Sequence, residues 1–316
     1  MRRVFVYEYL SGGGTAGLDP QTSAELLPMG LAMRDAMVLD LLCTPDCAVT
    51  VARGEGVAPA LPGAVAAMPL DGETPLAFVR RHGTQHDAVW LVAPETGGLL
   101  AALAAAVPPA RWLGCRPETI TLASSKSATV RHLHAHGVAT PLAEPFAAQA
   151  CRWVVKPDDG AGAVDTRVFG DEAHARAWQA ARPAAGGWLE PWVEGEPLSL
   201  SLRCDAHGAE LLSVNRQHIE VDTAGAVHFR GVSVNVVGPD DPRRPALAAF
   251  AQAVARTLPG LHGFVGIDLV WHDTRGPVLI EINPRVTNAY VGLSASLKRN
   301  IAAELLAAPR HEAAHA

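Results

Sequence analysis

Two apolar segments near the carboxyl end of the chain, residues 263–271 and 277–282, most constrain how it can fold. Both are rich in β-branched and other apolar residues, and a polar turn separates them. This pattern predicts a β-hairpin, because Gly276-Pro277 interrupts any continuous helix. Each predicted strand carries one acid among its apolar residues, Asp268 in the first and Glu281 in the second.

The acids of this hairpin form a candidate metal site. Burying a carboxylate among Ile, Leu and Val is costly unless it is ion-paired or binds a cation. Asn283 lies two residues after Glu281, so both side chains share one face of the sheet, and Arg285 follows at the strand's end. Two carboxylates and an amide oxygen suit a hard cation such as Mg²⁺. The alternative is that both acids are paired with buried arginines or lysines.

Composition indicates a globular protein and argues against several classes of partner. With 316 residues, the chain can hold two or three subdomains with cores of their own. Hydrophobic residues make up 49% and charged residues 18%, which argues against disorder. A formal net charge of −6 and the lack of a basic run argue against a nucleic-acid partner. No run of about 20 apolar residues is present, so we expect no membrane partner.

The cysteines and the N-terminus predict a reduced, cytoplasmic protein. Five cysteines without a Cys-x-x-Cys pair argue against both a disulfide framework and a zinc site. The apolar stretch that follows Met1 is too short for a signal peptide.

The first third of the chain alternates predicted strands and helices. The strands are predicted at residues 4–7, 47–52 and 88–93, and the helices at residues 25–42 and 98–106. Such alternation predicts a small parallel, doubly wound α/β unit.

A glycine-rich loop after the first predicted strand allows two interpretations. Gly12, Gly14 and Gly17 match the G-x-G-x-x-G pattern that binds pyrophosphate in dinucleotide-binding folds. The acid expected about 20 residues further on is missing. The other interpretation is a loop that faces a substrate through Gly13 and Gly14. Glu8, beside this loop, is either a substrate contact or a surface acid.

Two lysines in the middle of the chain are candidate phosphate contacts. Lys126 stands near the start of a helix predicted over residues 119–136, after a boundary at Pro108-Pro109. Lys156 ends a predicted strand and enters a loop of small residues, 160–163. A lysine is a point charge suited to phosphate, and glycines let backbone N–H groups approach it. The G-K-[ST] ending of a Walker A loop is absent, and an ordinary turn after Lys156 is the alternative.

The remainder of the chain predicts an antiparallel sheet covered by helices. Residues 187–196 combine a strand, two tryptophans and an acid-rich turn. Further strands follow at hairpin spacing, and their predicted bounds are 198–203, 210–219, 227–237, 264–271 and 278–282. Helices are predicted at residues 245–257 and 294–307, with a disordered tail from residue 309.

Taken in order, these landmarks resemble the ATP-grasp superfamily of carboxylate–amine ligases over residues from about 112 to 307. In this resemblance Lys126 matches the family's first nucleotide-binding lysine, and Lys156 with its glycine-rich loop matches the second. The segment Glu190-Pro191-Trp192-Val193 resembles the hinge that holds adenine.

The resemblance also implies roles for the later polar residues. Arg285 matches the family's phosphate-side arginine, and Gln217 lies on a strand that reaches phosphate or substrate in some members. Glu196 is the candidate ribose-binding acid, although it directly follows Gly195 where the family has one residue between them. The implied magnesium ligands are the oxygen-bearing side chains of the hairpin, Asp268, Glu281 and Asn283.

A fold class and a domain division follow from the resemblance. The fold would be α/β (α+β), an ATP-grasp fold in which two α+β subdomains enclose the nucleotide after an N-terminal Rossmann-like domain. The implied divisions are an N-terminal domain at 1–115, a small lid subdomain at 116–187, a large subdomain with the metal site at 188–308, and a tail at 309–316. ATP would bind together with Mg²⁺ or Mn²⁺.

The implied reaction joins two small molecules, and a homodimer is compatible with it. ATP would convert a carboxylate into an acyl phosphate, and an amine would then form an amide, with Lys156 and Arg285 as catalytic residues. The run from residue 283 to residue 293 and the first residues of the chain are similar to the tyramine–glutamate ligase branch, which serves methanofuran-type cofactor synthesis. That branch implies glutamate and an aryl amine or amino acid as substrates, with Thr287 and Asn288 nearest the acyl donor.

Two other functions compete with the ligase. One is a non-catalytic ATP-binding or regulatory protein on the same fold, and the other is an oxidoreductase that binds a nicotinamide through its glycine-rich loop. The ligase hypothesis predicts that Lys156→Ala and Glu281→Gln each abolish most activity while the fold stays intact.

Overall fold

The structure, a computed structural model, describes residues 1–14, 20–160, 163–182 and 187–309. Its strands form three sheets of four, three and five strands. Within the described ranges, no helix combines the length and the apolar character that a membrane span needs. Of the predicted tail, all but Pro309 lies outside the described residues.

The N-terminal unit is a parallel sheet with helices between its strands. Its strands follow the spatial order β3-β2-β1-β4, and every neighbouring pair is parallel, as predicted. The sequence prediction missed one short strand and one helix of this unit. In chain order the elements are β1 (Arg2–Glu8), α1 (Pro20–Leu42), β2 (Cys47–Ala52), β3 (Val65–Ala67), α2 (Pro75–Gln85), β4 (Ala88–Val92) and α3 (Leu99–Ala105).

The middle of the chain forms a three-stranded antiparallel sheet with flanking helices, in the order β6-β5-β7. The elements are α4 (Pro117–Ser124), α5 (Lys126–Ala135), α6 (Glu144–Ala148), β5 (Trp153–Pro157), β6 (Arg167–Phe169), α7 (Glu172–Ala180) and β7 (Gly187–Pro191). The single helix predicted over residues 119–136 is wrong. The chain breaks at Ser125, which has extended backbone angles and accepts the Ala128 N–H on its Oγ at 3.1 Å, as an N-cap does.

The large sheet is antiparallel, in the order β10-β9-β8-β11-β12, as predicted. The elements are β8 (Glu196–Asp205), β9 (Gly208–Val221), β10 (Val227–Ser233), α8 (Arg244–Thr257), β11 (Gly263–His272), β12 (Gly276–Asn283), α9 (Leu293–Leu297) and α10 (Ile301–Ala307). The last helix was predicted as one segment and is two, because Lys298 takes a left-handed conformation with φ 54°.

Shared apolar clusters fix the N-terminal unit against the large sheet. One cluster contains both Phe5 of β1 and Leu200 of β8. A second contains Met37 of α1 together with Tyr290, which follows the hairpin. Asp40 of α1 accepts hydrogen bonds from the Tyr290 hydroxyl and from Ser294 Oγ, each at 2.5 Å. These contacts hold the carboxyl ends of the parallel strands beside the end of the hairpin.

Candidate active site

A cavity of about 480 Å³ lies where the three sheets meet. Its volume falls in the range of roughly 300–1,000 Å³ that is usual for small-molecule sites. The walls come from the carboxyl ends of β1 and β4, from β5 and β7, and from β9 to β12. Twelve of the predicted site residues line it, namely Lys126, Lys156, Glu190, Trp192, Val193, Gln217, Asp268, Glu281, Asn283, Arg285, Thr287 and Asn288.

The hairpin that dominates the sequence forms one wall of this cavity. Asp268 lies directly opposite Glu281 in the register of β11 and β12, and Asn283 lies opposite Gly266. Asn283 Nδ2 donates a hydrogen bond of 3.2 Å to Asp268 Oδ2. The predicted clustering of these three side chains on adjacent strands is therefore confirmed.

The environment of this wall disfavours the charged form of Asp268. Burial and the neighbouring charge of Glu281 raise the pKa of Asp268 to about 7, although hydrogen bonds from Gln217 and Asn283 oppose the shift. A cation bound between the acids would favour their ionised forms.

The donor set of this wall fits Mg²⁺, which accepts one or two carboxylates and completes its shell with water and phosphate. The structure brings together no larger group of His, Cys, Asp or Glu able to hold a metal in the chain that it describes. Water and phosphate oxygens would complete the shell of a cation here.

Lys126 reaches the cavity from the first turn of α5. Its Nζ donates to the Gly160 carbonyl at 2.7 Å and lies 3.3 Å from Glu281 Oε1. Asp158 fixes the helix end, because it accepts hydrogen bonds from Ser125 Oγ at 2.6 Å and from the Ser127 N–H at 2.8 Å. Glu281 is thus close to a lysine, so the alternative interpretation, in which the acids pair with buried basic residues, holds for one of the two acids. Residues 161 and 162 of the predicted lid loop lie outside the described residues.

Lys156 forms a buried ion pair with the first hinge residue. Its Nζ lies 2.6 Å from Glu190 Oε1, and the two side chains are only 6% and 1% exposed. Trp188 Nε1 donates to the other Glu190 oxygen at 2.7 Å. The pairing follows from register, since Val154 lies opposite Glu190 in β5 and β7, which makes Lys156 its diagonal neighbour on the same face.

The rest of the hinge offers an apolar wall with one unpaired indole N–H, that of Trp192. Val193 is buried and lines the cavity together with Trp192. The Trp192 backbone N–H donates to the Arg152 carbonyl at 3.0 Å. Its indole Nε1 is buried and has no hydrogen-bond partner among the residues that the structure describes. A ligand that accepts a hydrogen bond here would satisfy it.

The structure does not support Glu196 as the ribose-binding acid. Its carboxylate accepts hydrogen bonds from Arg216 Nε at 2.7 Å and from Arg243 Nη1 at 2.6 Å, and it is not among the described residues that line the cavity. Glu194 does line the cavity, where it pairs with Arg152. Glu194, two residues before Glu196, is thus the better candidate for a ribose-binding acid.

The positions of Gly13 and Gly14 do not support the expectation that they face a substrate in this cavity. Neither lines the cavity, since Gly13 packs near Gly54 and a Cβ on Gly14 would lie 2.3 Å from the Tyr9 ring. Gly17, the last glycine of the predicted pyrophosphate motif, lies outside the described residues.

Glu8, rather than the glycines, faces the cavity, and it is no surface acid. It is only 3% exposed and accepts the Ser11 N–H at 2.8 Å and the Leu10 N–H at 3.2 Å. Burial raises the pKa of Glu8.

Arg285 has a partner that the sequence did not reveal. Its Nε lies 2.8 Å from Glu95 Oε1, and its Nη2 donates to Glu95 Oε2 at 2.9 Å. Glu95 follows β4 at the carboxyl edge of the parallel sheet, where ligand sites of α/β folds form. The position of Glu95 just after a predicted parallel strand is the one feature of the sequence that could have identified it as a site residue. Nearby, Asn288 Nδ2 contacts Met29 Sδ at 3.2 Å, which links the candidate substrate residues to α1.

Comparison with known proteins agrees with this arrangement. Residues 123–289, more than half of the chain, match the ATP-grasp domain family, and residues 47–120 match the pre ATP-grasp 3 domain. The tyramine–L-glutamate ligase of Methanocaldococcus jannaschii is 30% identical over 214 residues, which cover 66% of this chain and 59% of that protein. The chain therefore spans about three fifths of the length of this relative.

Solved structures show the same fold at low sequence identity. An ATP-grasp superfamily protein from Archaeoglobus fulgidus matches with a TM-score of 0.68 and 21% identity, over 99% of this chain and 90% of the other. The D-alanine–D-alanine ligase of Bacillus anthracis matches with a TM-score of 0.63 and 13% identity, over 97% and 96%. Together with the family match, these similarities show that the chain belongs to the ATP-grasp family.

Proposed function

We propose that this chain is an ATP-dependent ligase that joins a carboxylate to an amine and releases ADP and phosphate. One observation carries the proposal. A single cavity collects three cationic side chains, Lys126, Lys156 and Arg285, around the paired acids Asp268 and Glu281. Such a set can neutralise a triphosphate and hold its terminal phosphoryl group.

The chemistry explains why this charge distribution is needed. A carboxylate is a poor electrophile, so one of its oxygens first takes the γ-phosphoryl group of ATP, and ADP leaves. The amine nitrogen then attacks the carbonyl carbon, and phosphate leaves with the former carboxylate oxygen. Both steps depend on placement and charge neutralisation more than on covalent help from the protein.

Each part of the cavity then has a role. Lys126 and Lys156 compensate phosphate charge, and Arg285 grips the transferred phosphoryl group. Trp192 and Val193 form the apolar wall for the base. A bound Mg²⁺ or Mn²⁺ would be held by the hairpin oxygens and would supply further charge neutralisation at phosphate.

The substrates are proposed from the relative and from the cavity together. The relative's name gives tyramine and L-glutamate, and we propose glutamate as the carboxylate here and an aryl amine or amino acid as the nucleophile. The part of the cavity near β1 and α1 is lined by apolar side chains, Leu10, Leu26, Met29 and Met33, which suits an apolar amine body. Thr287 and Asn288 lie on the same cavity and would face the acyl donor. A role in one-carbon cofactor synthesis would follow from these substrates.

A matrix of carboxylates and amines tests the proposal. Each pair is incubated with Mg-ATP, ADP is measured, and the amide is identified by mass spectrometry. Glu281→Gln should lower amide formation by at least about 100-fold, the scale for losing transition-state electrostatics. The matched control is Glu220→Gln, whose carboxylate pairs with Arg230 on the exposed edge of the same sheet and should keep normal turnover. ATP binding without ADP or amide from any pair would refute the ligase and favour a non-catalytic protein.

A further inference from the structure

The ion pair between Glu95 and Arg285 joins two distant parts of the chain inside the site. The side chains are 5% and 11% exposed; Arg285 Nη2 donates a hydrogen bond of 2.9 Å to Glu95 Oε2, and Arg285 Nε lies 2.8 Å from Oε1 without hydrogen-bond geometry. Arg285 lines the cavity, whereas Glu95 is not among its described lining residues, although the preceding Pro94 is. Glu95 is therefore placed to act on a ligand in the cavity through Arg285.

The atoms used by Glu95 decide which part of Arg285 stays free. A guanidinium is planar and carries five N–H groups in a rigid fork. Nη2 donates one hydrogen bond to Glu95 Oε2 and Nη1 donates one to the Val286 carbonyl at 3.2 Å, while Nε lies close to Glu95 Oε1 without a hydrogen bond. Each Nη carries two N–H groups and uses one of them in these bonds, so Nη1 and Nη2 each have a second N–H for another acceptor. These two N–H groups can bind two oxygens of a phosphoryl group at once.

We propose that Glu95 is a positioning residue that orients Arg285 so that these two N–H groups face the transferred phosphoryl group. The inference rests on the ligase function proposed above and adds to it a residue of the N-terminal unit. A guanidinium without the carboxylate would be free to turn about its side-chain torsions, and a shift of about 1 Å in a group that grips a reacting phosphoryl can lower the rate on the order of 100-fold.

The same segment also contacts the loop that follows β5. The Gly97 N–H, two residues after Glu95, donates to Asp159 Oδ2 at 2.9 Å. Asp159 is next to Asp158, which fixes the end of α5 that carries Lys126. Residues 95–97 thus contact both Arg285 and the loop that follows Lys156. Such contacts are expected of a segment that sets the geometry of the phosphoryl group.

Three variants test the role of Glu95. Glu95→Gln keeps the size of the side chain but removes its charge and places an amide donor against the guanidinium. Glu95→Asp keeps the charge on a shorter side chain. The matched control is Glu73→Gln, because Glu73 also pairs with an arginine, accepting from Arg81 Nε at 2.8 Å and Nη2 at 2.6 Å, but away from the cavity. Thermal unfolding of each variant shows whether it folds.

The readout is kcat and KM for ATP in amide formation. We expect Glu95→Gln to lower kcat by about 10- to 100-fold with little change in KM for ATP, and Glu95→Asp to recover part of the loss. Glu73→Gln should keep kcat whatever its stability. A kcat for Glu95→Gln within twofold of that control would overturn the proposal. A rise in kcat would also overturn it, because Glu95 would then compete with the phosphoryl group for Arg285. No ADP from the unmodified chain would instead refute the ligase function itself.

Discussion

The buried pair of Lys156 and Glu190 allows stability and nucleotide binding to be separated. Lys156→Met removes the ammonium charge and keeps the apolar stem. Glu190 would then be a carboxylate that is 1% exposed and that, among the described residues, keeps the hydrogen bond from the Trp188 indole N–H as its one remaining partner. Removing one partner of a buried pair costs about 3–5 kcal/mol. At roughly 2–4 °C per kcal/mol, the midpoint of thermal unfolding should fall by about 6–20 °C.

A second variant separates the two effects. Lys156→Met combined with Glu190→Gln leaves no unpaired charge, so most of the lost stability should return. Binding of Mg-ATP should stay weak in both variants, because each lacks the Lys156 ammonium in the cavity. Thermal unfolding and calorimetric titration with Mg-ATP measure the two quantities. Recovery of nucleotide affinity along with stability in the double variant would refute the reasoning, since Lys156 would then act only through Glu190.

Two further predictions concern the nucleotide and pH. Glu194→Gln should raise KM for ATP several-fold, whereas Glu196→Gln should lower the unfolding temperature and leave KM unchanged; the reverse pattern would restore Glu196 as the ribose ligand. Burial lowers the pKa of His82, which stacks on Phe5, to about 4 from an ordinary value of 6.5. Between these values the unfolded chain binds a proton that the native chain does not, so stability should fall as pH drops from about 6.5 to 4, by up to about 3 kcal/mol. Urea unfolding at several pH values measures this loss, and His82→Phe should remove it; an unchanged pH dependence in that variant would contradict the assignment.

The hairpin could be predicted from sequence because its signals are local. Runs of β-branched and other apolar residues give the strands, Gly276-Pro277 excludes a helix, and a spacing of two puts Glu281 and Asn283 on one face. The oxygen-rich wall of the cavity follows from these facts alone. Lys126 and Lys156 were likewise visible as cations at a helix start and a strand end.

The helix breaks were missed because tertiary contacts and capping decide them. Residues 119–136 have helical spacing throughout, and only the bonds of Ser125 with Ala128 and Asp158 show why the helix restarts there. Strand β3 has three residues, too few for a periodic signal.

The partners of the charged site residues depend on which strands are neighbours. Glu190 meets Lys156 because β5 and β7 are paired, and Glu95 meets Arg285 across 190 positions of sequence. No rule based on residue spacing along the sequence predicts such pairs. For the same reason the sequence does not show that Lys156→Ala would leave Glu190 buried without its ammonium partner, and we expect that variant to be less stable.

Oxygen transfer from the carboxylate substrate to phosphate tests the central proposal most directly. The chain is incubated with Mg-ATP, ¹⁸O-labelled glutamate and the amine that supports turnover, and the phosphate is analysed by mass spectrometry. If an acyl phosphate forms, one carboxylate oxygen stays on phosphorus when the amine displaces it. The ligase proposal predicts ADP and phosphate that carries one ¹⁸O atom for each amide formed. Unlabelled phosphate, or AMP with pyrophosphate, would contradict it.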